Sequence, residues 1–233
     1  QEKSGKDTVF GVHRPYTINA DHNLTIFERT LETPVGPAAG PHTQLAQNII
    51  ASYYAGARFF ELKTVQKMDG AELSACVNKP CILADDEGYN CEWSTELTVP
   101  DAMSEYIKAW FILHVMAKEF NLGAQDGFQF NISVGYDLEG IKGDKVNTFI
   151  DGMMEAKDTA VFQECKKWLL DNADRFHNFT REDIEAIPSA ICNSATISTL
   201  HGCPPQEIES IANYLLTEKH LNTFVKCNPT LLG

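Results

Sequence analysis

Apolar runs that are typical of β-strands alternate with helical patterns along most of the chain. In the helical stretches, apolar residues recur at intervals of three and four positions, as they do on one face of an amphipathic helix. The predicted strands are Thr33–Ala39, Ala57–Val65, Phe128–Val134, Ala195–Leu200 and Thr223–Cys227. Helices are predicted from about Thr43 to Gly56, over Ala102–Phe120, near Asp144–Ala156 and over Pro205–Leu216. Repeated strand–helix units of this kind predict a parallel sheet.

Two segments fall outside this repeat. Residues 1–32 hold two short strand candidates, Thr8–Val12 and Leu24–Arg29, and are predicted to form an N-terminal β extension of the domain at 33–233. A pair of helices is predicted near 158–188, where it would be inserted ahead of the fourth strand.

Two architectures fit five strands joined by helices: a doubly wound sheet, and a (β/α)8 barrel of which about five of the eight strands are present. A dinucleotide-binding sheet would carry G-x-G-x-x-G after a strand, whereas Gly36–Gly40 reads Gly-Pro-Ala-Ala-Gly and no P-loop appears. The sequence therefore favours an α/β fold of the TIM-barrel class, incomplete within this chain. The active site of such a barrel lies at the carboxyl ends of the strands.

Charge and hydropathy narrow the class of partner. Lys and Arg number 19 and Asp and Glu number 32, so the net charge is −13. This charge argues against nucleic acid or an anionic membrane as the main partner. No apolar stretch approaches the roughly 20 residues that cross a bilayer, and the first ten residues lack the apolar core of a signal peptide. We therefore expect a cytoplasmic protein. The chain begins without Met and stops at Gly233 directly after a predicted strand, which is typical of a fragment.

The cysteines predict reduced thiols. Their number is odd and their spacing wide, which is unlike a disulfide framework in a chain without a signal peptide. They stand at positions 76, 81, 91, 165, 192, 203 and 227. The spacing of Cys76, Cys81 and Cys91 matches no zinc site and only loosely resembles an iron–sulfur site, so no metal site is predicted.

Two lysines stand at the ends of apolar strands. Lys63 follows Phe59-Phe60-Glu61-Leu62, and Lys226 follows Thr223-Phe224-Val225. A buried ammonium is costly unless it meets an anion or a strong acceptor, so each lysine is a candidate for chemistry. The alternative is a lysine whose head group reaches solvent from the end of the strand.

The carboxyl ends of all five predicted strands carry residues suited to a site. Small residues, which let a flat ligand lie against the backbone, follow the first strand. Polar or reactive residues follow the others. In chain order the set is Ala38, Ala39 and Gly40; Lys63 and Thr64; Ser133, Gly135, Tyr136 and Asp137; His201, Gly202 and Cys203; Lys226 and Asn228.

These residues resemble the FMN-binding barrel of dihydroorotate dehydrogenases (DHODH) and, more closely, the pyrimidine-reducing barrel of dihydropyrimidine dehydrogenase. Thr33–Gly40 is similar to their first-strand motif N-P-x-G-x-A-[AS], and Leu62-Lys63-Thr64 to their T-K-[TS]. Ser133–Asp137 resembles their third-strand segment, Gly202-Cys203-Pro204 the S-C-P with the catalytic cysteine, and Phe224-Val-Lys226 the fifth-strand lysine motif.

A closer resemblance covers essentially the whole chain. It is to a family named for a selenate reductase subunit (YgfK type), and it is carried by the runs TPVGPAAGPHTQLAQN, ELKTVQ, EWSTE, SVGYDLEGIK, HGCPP and VKCNPTLLG. Members of that family continue through the remaining barrel strands into a dinucleotide-binding reductase portion and iron–sulfur segments.

The resemblance implies an FMN-dependent oxidoreductase that acts on C=C or C=N bonds. It implies that FMN contacts Ala38, Ala39, Gly40, Lys63, Thr64, Tyr136, Asp137 and Lys226. Electrons would come from a downstream portion or partner with FAD, NAD(P) and iron–sulfur clusters, and the substrate would be a small purine- or pyrimidine-like heterocycle. The flavin phosphate site of such barrels lies near strands seven and eight, so this chain alone is expected to bind FMN poorly.

The resemblance implies that Cys203, Lys226 and His201 take part in catalysis. Cys203 precedes the predicted helix at Pro205, whose dipole favours a thiolate, although a small residue packed beside two prolines is the simpler interpretation of the same position. His201 either relays a proton or only caps the loop. An Asn that grips the pyrimidine in the related dehydrogenases is replaced here by Thr199 or Leu200, so the substrate is not expected to be held as uracil or orotate is.

Two other functions fit the same residues. A lysine on a barrel strand also serves Schiff-base lyases and aldolases, and Lys226 would be the nucleophile. A non-catalytic barrel that assembles an iron–sulfur flavoprotein complex is the third possibility.

Overall fold

A parallel four-stranded sheet lies at the centre of the molecule. The computed structural model describes residues 8–18, 24–68, 72, 75, 97–198 and 204–227. Within them, the sheet has the order β3–β4–β5–β6. Its strands are Phe59–Glu61 (β3), Gln129–Val134 (β4), Ser194–Ser198 (β5) and Asn222–Lys226 (β6). Neighbouring strands are consecutive along the chain and parallel, as the strand–helix repeat predicts.

The predicted first strand, Thr33–Ala39, is not a regular strand in the structure. Pro34 and Pro37 lack the N–H that a ladder needs. The segment nevertheless runs along β3, because Val35 O accepts a hydrogen bond from Arg58 N–H at 2.9 Å and Pro37 O accepts one from Glu61 N–H at 3.2 Å. It occupies the place of a fifth strand at this edge.

Helices cover the outer face of the sheet. The longest, α2, begins at Val99, three residues earlier than predicted, because the Thr98 side chain caps it by accepting the Asp101 N–H. The predicted helical pair is confirmed as α5 and α6, whereas α3 was not predicted. The helices are Ala46–Tyr54 (α1), Val99–Glu119 (α2), Leu138–Lys142 (α3), Asp144–Met154 (α4), Ala160–Asp171 (α5), Arg181–Ala186 (α6) and Pro205–Asn213 (α7), with a wider turn at Tyr214–Glu218 after α7 and 3₁₀ turns at Pro41–Thr43 and Ala173–Arg175.

An aromatic cluster packs between α2 and the sheet. The Trp110 ring lies 4.6 Å from His114, 5.1 Å from Phe128 and 5.3 Å from Phe130, centroid to centroid. His114 is only 3% exposed, and its Nε2 has no hydrogen-bond partner among the described residues. Burial lowers the pKa of His114 to about 3, so the ring is neutral inside this cluster.

The N-terminal segment closes the amino-terminal end of the sheet. The strand predicted at Leu24–Arg29 is instead a hairpin of Leu24–Ile26 (β1) and Arg29–Leu31 (β2). Its turn residues, Phe27 and Glu28, both have positive φ, as a type I′ turn requires. The strand predicted at Thr8–Val12 is wrong, because those residues make a tight turn with a single Val9–Val12 bridge.

The hairpin is joined to distant parts of the chain. The Phe27 ring packs on Phe224 of β6 at 4.9 Å, and Phe27 O accepts a hydrogen bond from Asn193 Nδ2 at 2.8 Å. Arg29 donates to Ile191 O at 2.8 Å and to Ala190 O at 3.1 Å. These contacts place the hairpin turn at the amino-terminal end of the sheet, on the side of its inner face.

A buried ion pair follows the hairpin. Arg58, 1% exposed, donates to the Glu32 carboxylate at 2.8 Å. Its other N–H groups donate to the carbonyls of Tyr53, Ala57 and Leu122. Since a buried charge is tolerated only when it is paired and fully hydrogen-bonded, this network accounts for an arginine in the interior.

Candidate active site

The inner face of the sheet is polar, whereas its outer face is apolar. Successive strand residues point to opposite faces, and a parallel sheet covered on both faces would be apolar on both. The outward residues are buried and apolar: Phe60, Leu62, Phe130, Ile132, Val134, Ala195 and Ile197. Phe59 and Phe224 apart, the alternate residues are charged or polar: Glu61, Lys63, Asn131, Ser133, Ser194, Thr196, Ser198 and Lys226. An inner face of this composition is suited to a polar ligand.

The sheet curls around this polar face. β3 and β6 lie at opposite edges of the strand order, and in a flat sheet three strand spacings would separate them by about 14 Å. The rings of Phe59 on β3 and Phe224 on β6 are nevertheless 6.1 Å apart. Two residues further toward the carboxyl ends of the same strands, Lys226 Nζ lies 3.5 Å from Glu61 Oε2. The described strands therefore enclose a concave interior, with the curvature of a barrel wall.

The structure distinguishes the two predicted lysines. Lys63 is 3% exposed, and its backbone is fixed at the end of β3, where its carbonyl accepts the Tyr106 hydroxyl at 3.2 Å. Burial of this lysine is confirmed. Lys226 is 42% exposed, which agrees with the alternative of a lysine whose head group reaches solvent from the end of the strand.

Glu61 connects the two edges of the sheet and was missed by the sequence reasoning. Its Oε2 accepts the Ala39 N–H at 3.0 Å and faces the Lys226 ammonium at 3.5 Å. Its Oε1 is enclosed and has no hydrogen-bond partner among the described residues. Strand alternation was the available signal, since Glu61 stands two residues before Lys63 and so shares its face.

Further polar groups lie on the same face. Thr64 Oγ1 and Ser133 Oγ are 2.8 Å apart. Asn131 donates from Nδ2 to Thr196 Oγ1 at 2.7 Å. Its Oδ1 and the Ser194 hydroxyl are buried without a partner among the described residues. Buried polar atoms are normally hydrogen-bonded, so these two oxygens are exceptions on the inner face of the sheet.

The segment with Ala38, Ala39 and Gly40 lies beside Glu61. The hydrogen bond from Ala39 N–H to Glu61 holds its middle, and Thr43 Oγ1 bonds both the N–H and the carbonyl of Gly40. A Cβ on Gly40 would approach the ring of His42 to 2.7 Å. The segment is therefore held at Ala39 and at Gly40, and its exposed groups are backbone atoms and the methyl groups of alanine.

Tyr136 and Asp137 form a separate cluster with Lys67. Tyr136 has φ +90°, a strained conformation for a non-glycine residue that is found preferentially at functional sites. Lys67 Nζ lies 3.9 Å above the Tyr136 ring and 3.2 Å from the Asp137 carboxylate. Asp137 also caps α3 by accepting the Gly140 N–H at 2.7 Å. Lys67 was not identified from the sequence.

Several predicted residues lie outside the described part of the chain. They are His201, Gly202, Cys203 and Asn228, the Thr199–Leu200 position, and the cluster of Cys76, Cys81 and Cys91. Their roles stay predictions. The described cysteines, Cys165, Cys192 and Cys227, are free thiols, and burial raises the pKa of Cys192 to about 12. None of the helices in the described ranges is both long and apolar enough to cross a membrane.

Comparison with known proteins adds the family. The family model for the N-terminal TIM-barrel domain of oxidoreductase YgfK matches residues 10–233. The chain is 48% identical over 240 residues to "Putative oxidoreductase YgfK" of Escherichia coli K12, and equally to that of Escherichia coli O157:H7. The alignment covers 97% of this chain and 23% of each relative, so the chain spans about a quarter of their length.

Among solved structures, ligand-free DHODH from Eimeria tenella resembles this chain with a TM-score of 0.46 and 14% sequence identity, over 96% of this chain and 67% of that one. The fold assignment rests on the family model and on the curled parallel sheet, which together show a TIM barrel that is incomplete within this chain. The chain belongs to the YgfK family of oxidoreductases and forms their N-terminal TIM-barrel domain.

Proposed function

We propose that this domain is the FMN-binding module of an oxidoreductase, in which hydride passes between the flavin and a small heterocyclic substrate. The oxidoreductase family supports the reaction class. The observation that carries the proposal is the curled face, which has buried Lys63 and the Glu61–Lys226 pair toward the carboxyl ends of its strands. A TIM barrel places its active site at this end.

The residues at this end fit a flavin. Its ring system is flat, with carbonyl oxygens along one edge, and the backbone at Ala38–Gly40 offers a surface without large side chains. Lys63 and Lys226 supply cationic donors, and Thr64 with Ser133 supplies hydroxyls. We expect Ala38, Ala39, Gly40, Lys63, Thr64, Tyr136, Asp137 and Lys226 to hold the ring.

When bound, a flavin supplies hydride transfer, which no amino-acid side chain provides. The protein contributes electrostatics and placement. Lys226 would stabilise the negative charge that develops on the ring edge during reduction, and a fixed cation is most effective where water is excluded. Lys63, buried at 3% exposure, is the more strongly desolvated of the two cations. Cys203 and His201 are our candidates for the proton that accompanies hydride transfer to a C=C or C=N bond.

The substrate and electron source follow as parts of the same proposal. A purine- or pyrimidine-like compound with a C=C or C=N bond conjugated to a carbonyl suits hydride chemistry better than selenate does. Since the chain spans only 23% of its relatives, FAD, NAD(P) and iron–sulfur portions elsewhere in the protein or in partner subunits would exchange the electrons. We expect the protein to act in the cytoplasm.

Flavin content tests the proposal. The full-length protein is purified, denatured, and the released flavin is measured by absorbance and identified by chromatography. We expect about one FMN per barrel. Lys63→Met and Lys226→Met should each weaken FMN binding by about 10- to 100-fold, the usual effect of losing a hydrogen bond from a charged group. Lys167→Met is the control, because Lys167 pairs with Asp171 on the exposed side of α5.

The other outcomes separate the alternatives. A protein without FMN contradicts the proposal. Trapping of a carbonyl compound on Lys226 by borohydride would favour the lyase. Bound FMN that no purine or pyrimidine reoxidises would favour the assembly subunit.

A further inference from the structure

The Glu61 carboxylate is placed as a ligand-binding group. It stands on the inner face of the curled sheet and is 12% exposed. A carboxylate is costly to bury, and its 3.5 Å separation from the Lys226 ammonium is longer than a normal hydrogen bond. The fold therefore keeps a carboxylate where stability does not account for it.

The two oxygens of Glu61 differ in their hydrogen bonding. Oε2 is used twice, by the Ala39 N–H at 3.0 Å and by Lys226 Nζ at 3.5 Å. Oε1 is enclosed, and no donor among the described residues reaches it. A buried carboxylate oxygen needs a donor. Because Ala39 and Lys226 both approach Oε2, the carboxylate is fixed and Oε1 has a defined direction.

The pair defines a recognition pattern. One carboxylate oxygen, Glu61 Oε1, is an acceptor without a donor among the described residues, and the other, Oε2, lies 3.5 Å from a donor, Lys226 Nζ. The complementary ligand has an N–H beside a C=O, which is a lactam edge. We propose that Glu61 and Lys226 read such an edge: Glu61 accepts the ring N–H, and Lys226 donates to the adjacent carbonyl.

This inference rests on the proposed function for the place of the ligand. Two sources of the same chemistry are available there, since the flavin itself has an N–H between two carbonyls and a pyrimidinone or purinone substrate has one as well. A methyl group on the ring nitrogen removes the donor from either source and leaves the rest of the ring unchanged. Methylated probes therefore report on Glu61 directly.

The test uses Glu61→Gln in the full-length protein. The glutamine oxygen can keep the Ala39 hydrogen bond, which turns the NH₂ group toward the position of Oε1. That NH₂ group, a donor, would then face the ring N–H of the ligand, which is also a donor. Glu105→Gln is a closely matched control, because Glu105 also accepts a backbone N–H, from Ala46 at 2.9 Å, and an ammonium, from Lys108 at 3.2 Å. Glu105 lies on α2, outside the inner face of the sheet.

Two arms distinguish the sources. In the first, flavin-stripped protein is titrated with FMN and with 3-methyl-FMN. In the second, uracil, hypoxanthine and their N-methylated forms are titrated into the protein and binding is followed by calorimetry. Wild type and Glu105→Gln should prefer the N–H form by about 10- to 100-fold, and Glu61→Gln should lose that preference. Loss in the first arm assigns Glu61 to the flavin, and loss in the second assigns it to the substrate.

Each remaining outcome either supports or overturns the inference about Glu61 and Lys226. Equal preferences in wild type and Glu61→Gln, or equal losses in Glu105→Gln, overturn the inference. A wild-type protein that binds no flavin refutes the proposed function. In that case a Glu61-dependent preference for unmethylated uracil or hypoxanthine would still support the Glu61–Lys226 inference. No binding in either arm would overturn the Glu61–Lys226 inference. If Glu61→Gln does not fold, Lys226→Met is used: both forms should weaken equally, because the N–H contact remains, and a change in the preference itself would contradict the assignment.

Discussion

Neutral His114 inside the aromatic cluster makes a specific prediction about acid stability. In the unfolded chain an imidazole takes up a proton near its ordinary pKa of 6.5, whereas burial lowers the pKa of folded His114 to about 3. Between these values the unfolded state binds one more proton than the folded state. The free energy of unfolding therefore falls as the pH is lowered from about 6.5 toward 3, and this contribution is fully present above pH 6.5.

The size of the effect follows from linkage. One proton changes the free energy of unfolding by about 1.4 kcal/mol per pH unit. From pH 6.5 to pH 5.0 His114 should therefore cost about 2 kcal/mol of stability. Carboxylates also contribute to the pH dependence, so the quantity to compare is the difference between variants rather than the slope of the wild type.

His114→Phe isolates this contribution. Phenylalanine keeps an aromatic ring against Trp110 and Phe128, which contact the histidine at 4.6 and 5.1 Å, and it cannot be protonated. Urea unfolding is followed by circular dichroism at pH 7.0, 6.0 and 5.0. The variant should lose about 2 kcal/mol less than wild type between pH 7 and pH 5. His177→Asn, at an exposed position, controls for removal of a histidine. Parallel pH profiles for wild type and His114→Phe would refute the reasoning.

Three further changes test the framework around the site. Arg58→Met leaves the Glu32 carboxylate buried without its cation, and urea unfolding should show a loss of about 3–5 kcal/mol; a loss below about 1 kcal/mol would mean that Glu32 is solvated. Gly36→Ala places a Cβ on top of the Phe59 carbonyl oxygen, so the segment along β3 must move, and FMN content should fall more than stability does; unchanged FMN content would contradict a role for this segment. Thr98→Ala removes the cap of α2 and should cost about 1 kcal/mol in urea unfolding, with FMN content unchanged; a loss of FMN would show that α2 and the site are coupled.

The elements that the sequence predicts well are those with a local signature. α2 has a long apolar stripe and a threonine cap, and β4 is a run of six buried residues. The helical pair has threonine caps at Thr159 and Thr180. Periodicity and capping depend on residues only a few positions apart. They can therefore be recognised in the sequence without knowledge of the distant residues that pack against each element.

The features that the sequence does not predict depend on distant partners. The turn at Phe27–Glu28 has no Gly or Asn, so a hairpin there carries no turn signature. The Thr33–Ala39 segment reads as a strand, but prolines remove its donors. Glu61 is defined by Ala39 and Lys226, which lie 22 and 165 positions away.

The docking of the N-terminal hairpin has a consequence for biosynthesis. Arg29 bonds to Ile191, 162 positions later, and Phe27 is held by Asn193, 166 positions later. At about 5–20 residues per second, a ribosome needs roughly 10–30 s to produce those partners. During that interval the hairpin exists without the surface that buries its aromatic turn.

Long-range contacts of this kind slow folding, and an exposed aromatic turn is a natural binding site for a chaperone. The nascent chain cannot close the lower end of its sheet until β5 and β6 have left the exit tunnel. The hairpin that comes first in the chain is thus among the last parts to reach its final place.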